Sequence, residues 1–211
     1  MSVRVAFVGA AEAAISLLRE GAVAEAWDQP SALPKMSVGA LACHVAEQLY
    51  AARDLLAAPE RPEEPIPLLE HYARADWVEA GLDDEPNTSV RDACQEDAEA
   101  GPKSMLVRAL STYDELVTLL AKQPESRAVH VPWQGWSLSM DDFLVTRMME
   151  IVVHSDDLAV SVHVEPPEFA DEVLAPVLAL LTGVSARRHG QAAVVRALSR
   201  AERAPQSIAA F

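Results

Sequence analysis

Positive charge is scarce in this sequence. Seventeen lysine and arginine residues stand against thirty-two aspartate and glutamate residues, so the 211-residue chain carries a formal net charge of −15. An acidic surface of this kind repels both phosphate backbones and anionic lipid headgroups. The composition therefore argues against nucleic acid and against membrane as partners.

Cysteines, glycine-rich motifs and long apolar runs are also few. The chain has two cysteines, Cys43 and Cys94. They are too few and too far apart in sequence for a disulfide framework or a clustered cysteine metal site, so reduced thiols are expected. Glu12 interrupts the apolar N-terminal stretch, and no segment of transmembrane length follows, which argues against export. The same stretch offers only Gly9 where a dinucleotide-binding turn requires three glycines. We expect a cytoplasmic protein.

Hydrophobic residues, at 50% of the chain, are plentiful enough for one sizeable core. Their spacing predicts helices, with Ser37 and Ser139 as N-terminal caps of two of them. The predicted helices cover about residues 5–27, 37–59, 89–122 with a break at Gly101 and Pro102, 139–162, 168–189 and a short basic helix at 194–203.

This pattern predicts an all-α fold, an antiparallel four-helix bundle with additional C-terminal helices. We expect one domain over 1–211, with 168–211 as a C-terminal helical extension. The proline-rich segment "PERPEEPIP" predicts a solvated loop, anchored further along by Trp77 and Leu82. The final "SIAAF" could form a short strand or a docked tail.

The stretch "RMMEIVVHSDDL" places polar side chains in an otherwise apolar helix. Arg147, Glu150, His154, Asp157 and Ser161 follow a spacing of three and four residues, so they share one face. The rest of the helix surface is too apolar for a helix on the outside of the bundle. The polar face is therefore predicted to point inward or along a cleft between helices.

Glu150 and His154, four residues apart, could both bind one divalent metal ion. His44, beside the apolar stripe of the second helix, could supply a third ligand and leave a fourth position open for water or substrate. The alternative is structural: an i,i+4 pair within one helix and a core histidine with satisfied hydrogen bonds. The residues alone leave both interpretations open.

Two blocks carry a resemblance to a known family. "PSALPKMSVGALACHVAEQ" and "TRMMEIVVHSDDLAVSV" resemble the N-terminal domain of the mycothiol-dependent maleylpyruvate isomerase family, within the DinB-like superfamily. The resemblance extends from about Trp27 to Leu198, although Met36 replaces the tryptophan of many relatives. It implies that His44, Glu150 and His154 bind a divalent metal, usually zinc, and that mycothiol or a similar low-molecular-weight thiol is the cofactor or co-substrate.

The resemblance implies an enzyme, a thiol S-transferase or an isomerase, acting on a small electrophilic substrate. In this hypothesis Asp157 orients a ligand or contacts the thiol. Arg147 either pairs with carboxylates near Asp157 or holds an anionic group of the substrate. The isomerases of this family have a second domain for which 211 residues leave no room, so the expected reaction differs from maleylpyruvate isomerisation. The alternative is a non-catalytic, metal-containing module that forms a homodimer or binds a small ligand.

Four other groups are weaker candidates. Cys43 points about 100° away from His44 around the helix, which favours a small core residue. The segment "HVPWQGWSL", with His130, Trp133 and Trp136, could line the mouth of the site or cap the bundle. His189 is expected to interact with a helix C-terminus. His163 is predicted to lie on the side of its helix opposite His154.

Overall fold

The computed structural model describes residues 2–78 and 80–211. These residues form nine α-helices, two short strands and two 3-10 turns, Asp76–Val78 and Ala201–Arg203. The helices are α1 Val3–Leu18, α2 Gly21–Glu25, α3 Val38–Ala57, α4 Leu68–Arg74, α5 Glu85–Ala98, α6 Gly101–Lys122, α7 Met140–Val162, α8 Asp171–His189 and α9 Gln191–Ser199. The strands are β1 Ala128–Val131 and β2 Trp136–Ser139, paired antiparallel.

Helices α1, α3, α6 and α7 form the bundle that the sequence predicts. Each of the four contributes a fully buried large side chain to one continuous core: Phe7, Leu49, Leu116 and Phe143. Helix α8 packs outside this bundle against α7 and α1. The all-α prediction is confirmed, and the seam between α3 and α7 lies inside the bundle.

The predicted helix starts are confirmed where serine caps set them. Ser37 Oγ accepts a hydrogen bond from the Ala40 backbone N–H, and Ser139 Oγ accepts one from Asp142. These caps satisfy backbone donors that the first helical turn would leave unpaired. The predicted break near Gly101 is also confirmed, because α5 ends at Ala98 and Gly101 adopts a positive φ of 81°.

Several elements differ from the sequence predictions. The predicted helix over 5–27 is interrupted, since α1 ends at Leu18 and α2 begins at Gly21. Helix α4 and the β1–β2 hairpin lie where only loop was predicted. Trp77 packs partly buried against the core as an anchor, but Leu82 is 45% exposed and does not. Because α4 has seven residues and each strand four, these elements are too short for a periodic signal.

The end of the chain is a docked tail and not a strand. Ser185 Oγ on α8 donates a hydrogen bond to the Ile208 carbonyl at 2.7 Å. The ring of Phe211 lies against Trp77, with ring centroids 5.1 Å apart. Within the described ranges, no helix is both long enough and apolar enough to cross a membrane.

Two arginines bind helix ends. Arg4 at the start of α1 donates to the Gln123 carbonyl at 2.7 Å, just beyond α6. Arg127, which precedes β1, donates to the Ala58 carbonyl at 2.6 Å, just beyond α3. Carbonyls at a helix C-terminus lack intrahelical donors and carry a partial negative charge, so these cations stabilise both ends.

Candidate metal centre

Three side chains from two helices converge at the seam between α3 and α7. Glu150 Oε2 lies 3.1 Å from His154 Nε2 and 3.7 Å from His44 Nε2. One donor atom from each of the three residues lies within 4.8 Å of the others. The side chains are 16% to 18% exposed, so the cluster is largely buried but reachable from solvent. The inward polar face that the α7 sequence predicts is therefore present.

The donor set suits a divalent metal. Two imidazole nitrogens and one carboxylate oxygen form a common ligand combination for zinc. A tetrahedral zinc with bonds of about 2.0–2.1 Å separates its ligand atoms by about 3.3 Å. The two distances from Glu150 bracket that value, at 3.1 and 3.7 Å. Small side-chain movements would thus bring these atoms to coordination distance.

Each histidine of the cluster has a second partner at its other ring nitrogen. His154 Nδ1 lies 3.0 Å from Asp157 Oδ2, one turn further along α7. His44 Nδ1 lies 3.7 Å from the Cys94 sulfur on α5. Both imidazoles are therefore held with Nε2 toward Glu150. The two outer contacts differ in strength, because a carboxylate is a much better acceptor than a thiol.

The electrostatics of the cluster favour a charged Glu150. Burial opposes its ionisation, but hydrogen bonds with His154 and His44 outweigh burial and hold its pKa well below the usual range. Burial also disfavours a charged His154, yet hydrogen bonds with Asp157 and Glu150 raise its pKa to about 9. For His44 burial prevails over the bond with Glu150 and lowers its pKa. One imidazolium between two carboxylates therefore leaves this group of side chains with a net negative charge, and a bound divalent cation could replace the imidazolium proton.

Arg147 lies on the same face of α7 but does not pair with Asp157, so that part of the sequence hypothesis is wrong. Its Nη1 donates to Gln48 Oε1 at 2.7 Å, and its Nε donates to Thr146 Oγ1 at 3.1 Å. Ten residues of helix separate Arg147 from Asp157, a rise of about 15 Å that an arginine side chain cannot span. Among the described residues, no carboxylate lies within ion-pair distance of this guanidinium.

His71 on α4 is a buried group near the site that sequence reasoning missed. Trp136 Nε1 donates a hydrogen bond to His71 Nδ1 at 3.0 Å. An indole N–H can only donate, so His71 Nδ1 must be unprotonated and the neutral ring carries its hydrogen on Nε2. Burial, followed by the positive charge of Arg147, lowers the pKa of His71 to about 4. No periodic pattern marks α4, so the sequence gives no signal for this residue.

The weaker candidates from the sequence lie outside the cluster. Cys43 is buried in the core, as predicted. His130 Nδ1 lies 2.9 Å from Glu63 Oε2 in the preceding loop, and Trp133 is 59% exposed at the hairpin turn. His189 Nε2 contacts the Ala209 carbonyl at 2.8 Å. His163 ends α7 in a left-handed conformation with a φ of 57°. None of these four histidine and tryptophan side chains belongs to the His44, Glu150 and His154 cluster.

Comparison with known proteins places this chain in a family. Neither the curated proteins nor the solved structures include a significant match to the chain. The sequence model of the mycothiol maleylpyruvate isomerase N-terminal domain matches residues 8–159. This range includes most of α1, all of α3, and α7 as far as Ala159. His44, Glu150 and His154 all lie inside the matched range, as do Arg147 and Asp157. The chain belongs to the mycothiol maleylpyruvate isomerase N-terminal domain family.

Proposed function

We propose that this protein is a metal-dependent enzyme that uses a low-molecular-weight thiol such as mycothiol, as a thiol S-transferase or isomerase acting on a small electrophile. The observation that carries the proposal is the convergence of His44, Glu150 and His154 from two helices in a chain of this family. A purely structural ion pair needs only the two α7 residues. The third side chain, on a different helix and within the same 4.8 Å, favours an ion as the common partner.

In this proposal His44, Glu150 and His154 hold a divalent cation, with zinc as the best fit to two nitrogens and one oxygen. A zinc ion held there would lower the pKa of a bound thiol, so that the nucleophilic thiolate exists at neutral pH. The partial exposure of the three side chains, 16% to 18%, gives a small thiol access to the cluster. Asp157 holds the ring of His154 in place through the 3.0 Å contact with Nδ1.

Arg147 is proposed to hold an anionic group of the electrophile. Its contacts, Gln48 and Thr146, are neutral acceptors that orient the guanidinium without cancelling its charge. Gln48 in turn donates from Nε2 to the His44 carbonyl at 2.8 Å, which links this cation to the helix turn that carries the α3 ligand. In a chain with a net charge of −15, a partly buried arginine that has no carboxylate partner among the described residues is a suitable anion site.

The metal is tested first, by elemental analysis and zinc titration of the purified protein. We expect close to one equivalent of a divalent metal in the wild type and loss of most of it in His44→Ala. His189→Ala removes an exposed imidazole outside the cluster and serves as the matched control. If the wild type and His44→Ala bind divalent metals equally tightly, or neither binds any, the proposed site is wrong.

Activity is tested separately, with mycothiol and monochlorobimane as the electrophile. We expect fluorescent conjugate to form faster with wild type than without protein, and the acceleration to disappear in His44→Ala but not in His189→Ala. Arg147→Lys keeps the positive charge but loses the forked geometry of the guanidinium. It should lower the rate of conjugate formation with an anionic electrophile more than the rate with neutral monochlorobimane. Retained metal with no acceleration for any electrophile would favour the non-catalytic binding module instead.

A further inference from the structure

The outer nitrogen of His44 faces a sulfur atom. Cys94 lies on α5, 56 residues before Glu150 in the sequence, and its Sγ is 3.7 Å from His44 Nδ1. The thiol is 7% exposed and packs with Met36 and Ala40 near the start of α3. The contact is therefore fixed by the packing of two helices and not by a mobile surface side chain.

The direction of this contact follows from the chemistry of imidazole. His44 can offer its Nε2 lone pair to a metal only when the ring hydrogen is on Nδ1. That hydrogen needs an acceptor, because an unpaired buried N–H costs free energy. Within the described part of the chain, the Cys94 sulfur is the side-chain partner of Nδ1. Cys94 is a buried free thiol, and a thiol sulfur is a weak acceptor.

We propose that Cys94 is a positioning residue for His44, whose sulfur accepts the Nδ1–H hydrogen bond and thereby directs Nε2 toward Glu150. This inference rests on the proposed metal site and deepens it. It gives the site two unequal halves: Asp157 supports His154 with a carboxylate, whereas Cys94 supports His44 with a thiol. His44 is consequently the less firmly held of the two imidazole ligands.

The structure supplies a matched control for this proposal. Cys43 and Cys94 are both buried thiols, and Cys43 is the neighbour of His44 in sequence, but the Nδ1 contact belongs to Cys94. Replacing Cys94 with alanine removes the acceptor, whereas serine retains one. Cys43→Ala removes a buried thiol of the same size without removing that acceptor. Thermal unfolding of all three variants shows whether the fold is intact.

Zinc affinity is the first measurement, by competition with a chromophoric chelator. Loss of an outer partner of a metal ligand typically weakens binding about 10- to 100-fold, and a thiol is a weaker partner than the usual carboxylate. We therefore expect Cys94→Ala to weaken zinc binding about 3- to 10-fold, and Cys94→Ser and Cys43→Ala to stay within about twofold of wild type. Equal affinity in Cys94→Ala and Cys43→Ala would overturn the inference.

The Nδ1–H group of His44 gives an independent measurement on the zinc-loaded protein, in which Nε2 faces the metal and the ring hydrogen is on Nδ1. Two-dimensional ¹⁵N–¹H spectra of the imidazole nitrogens should show a slowly exchanging Nδ1–H in wild type, Cys94→Ser and Cys43→Ala, and a faster exchanging one in Cys94→Ala. Equal exchange of this hydrogen in wild type and Cys94→Ala would contradict the inference directly. A wild-type protein that binds no zinc would refute the proposed function, whereas zinc binding and exchange that Cys94→Ala leaves unchanged would refute only the positioning role.

Discussion

The two helices that form the candidate metal centre contribute to it in different ways. Helix α7 supplies two candidate ligands, Glu150 and His154, and the outer carboxylate of Asp157, all within two turns of one helix. Helix α3 supplies His44 alone, and the outer partner of His44 comes from α5. The α7 half is local in sequence, whereas the α3 half is assembled by packing.

This difference affects how robust each half is. Residues three and four apart on a helix are neighbours wherever that helix forms, so the α7 half needs only its own helix. The α3 half also needs the correct separation between α3, α5 and α7. Changes in packing should therefore disturb His44 before they disturb His154.

Removal of His154 should have the largest effect. His154→Ala deletes a proposed ligand and leaves the partly buried carboxylates of Glu150 and Asp157 without their shared cation partner. We expect zinc affinity to fall by more than about 100-fold, beyond the range for loss of an outer partner. His44→Ala should cost less, because His44 is the more weakly supported ligand. Calorimetric titration of both variants would contradict the comparison if His44→Ala lost more affinity.

His71 provides a reference for a buried imidazole without a carboxylate partner. Its pKa is about 4 in the folded protein against 6.5 when exposed, so the unfolded chain binds the extra proton first. The stability that neutral His71 contributes is fully present above pH 6.5 and is lost as pH falls toward 4, by about 3 kcal/mol. Urea unfolding of wild type and His71→Gln across this range measures it. A parallel loss in both proteins would refute the assignment.

The carboxylate on the α7 half is tested by Asp157→Asn. The amide retains size and an acceptor but loses the charge that stabilises the His154 ring. We expect zinc affinity to fall about 10- to 100-fold. The loss should exceed that of Cys94→Ala, measured with the same chelator. Similar losses in the two variants would show that the outer partners are equivalent, contrary to the comparison drawn above.

A packing change in α3 should separate the two halves. A Cβ at Gly39 would lie 2.6 Å from Trp27 Cε2, and Trp27 is itself held by a 3.0 Å hydrogen bond from its Nε1 to the Ala98 carbonyl. Gly39→Ala should therefore shift α3 and cost about 1–3 kcal/mol of stability through overpacking. We expect imidazole spectra of the folded variant to show a perturbed His44 and an unchanged contact between His154 and Asp157. An equal perturbation of both rings would contradict this expectation.

The elements that could be predicted from sequence are the local ones. The serine caps of α3 and α7 and the polar face of α7 follow from short-range spacing, and all three are present in the structure. The participation of His44 depends on which helices are neighbours: the residues alone left its role open, and the family resemblance favoured a ligand. Cys94 and His71 could not be predicted, because their partners lie 50 and 65 residues away and neither belongs to a periodic pattern.

Arg4 directs its charge to backbone carbonyls just beyond α6, and Arg127 divides its charge between backbone carbonyls beyond α3 and the carboxylate of Glu60, 3.9 Å from its Nη1. In a chain with only seventeen basic residues, this leaves the acidic side chains even less compensated than the net charge of −15 suggests. Mutual repulsion among exposed carboxylates opposes the compact state. Salt weakens this repulsion, because the Debye length shortens from about 10 Å at 0.1 M salt to about 3 Å at 1 M. Raising the ionic strength should consequently increase the melting temperature of this protein.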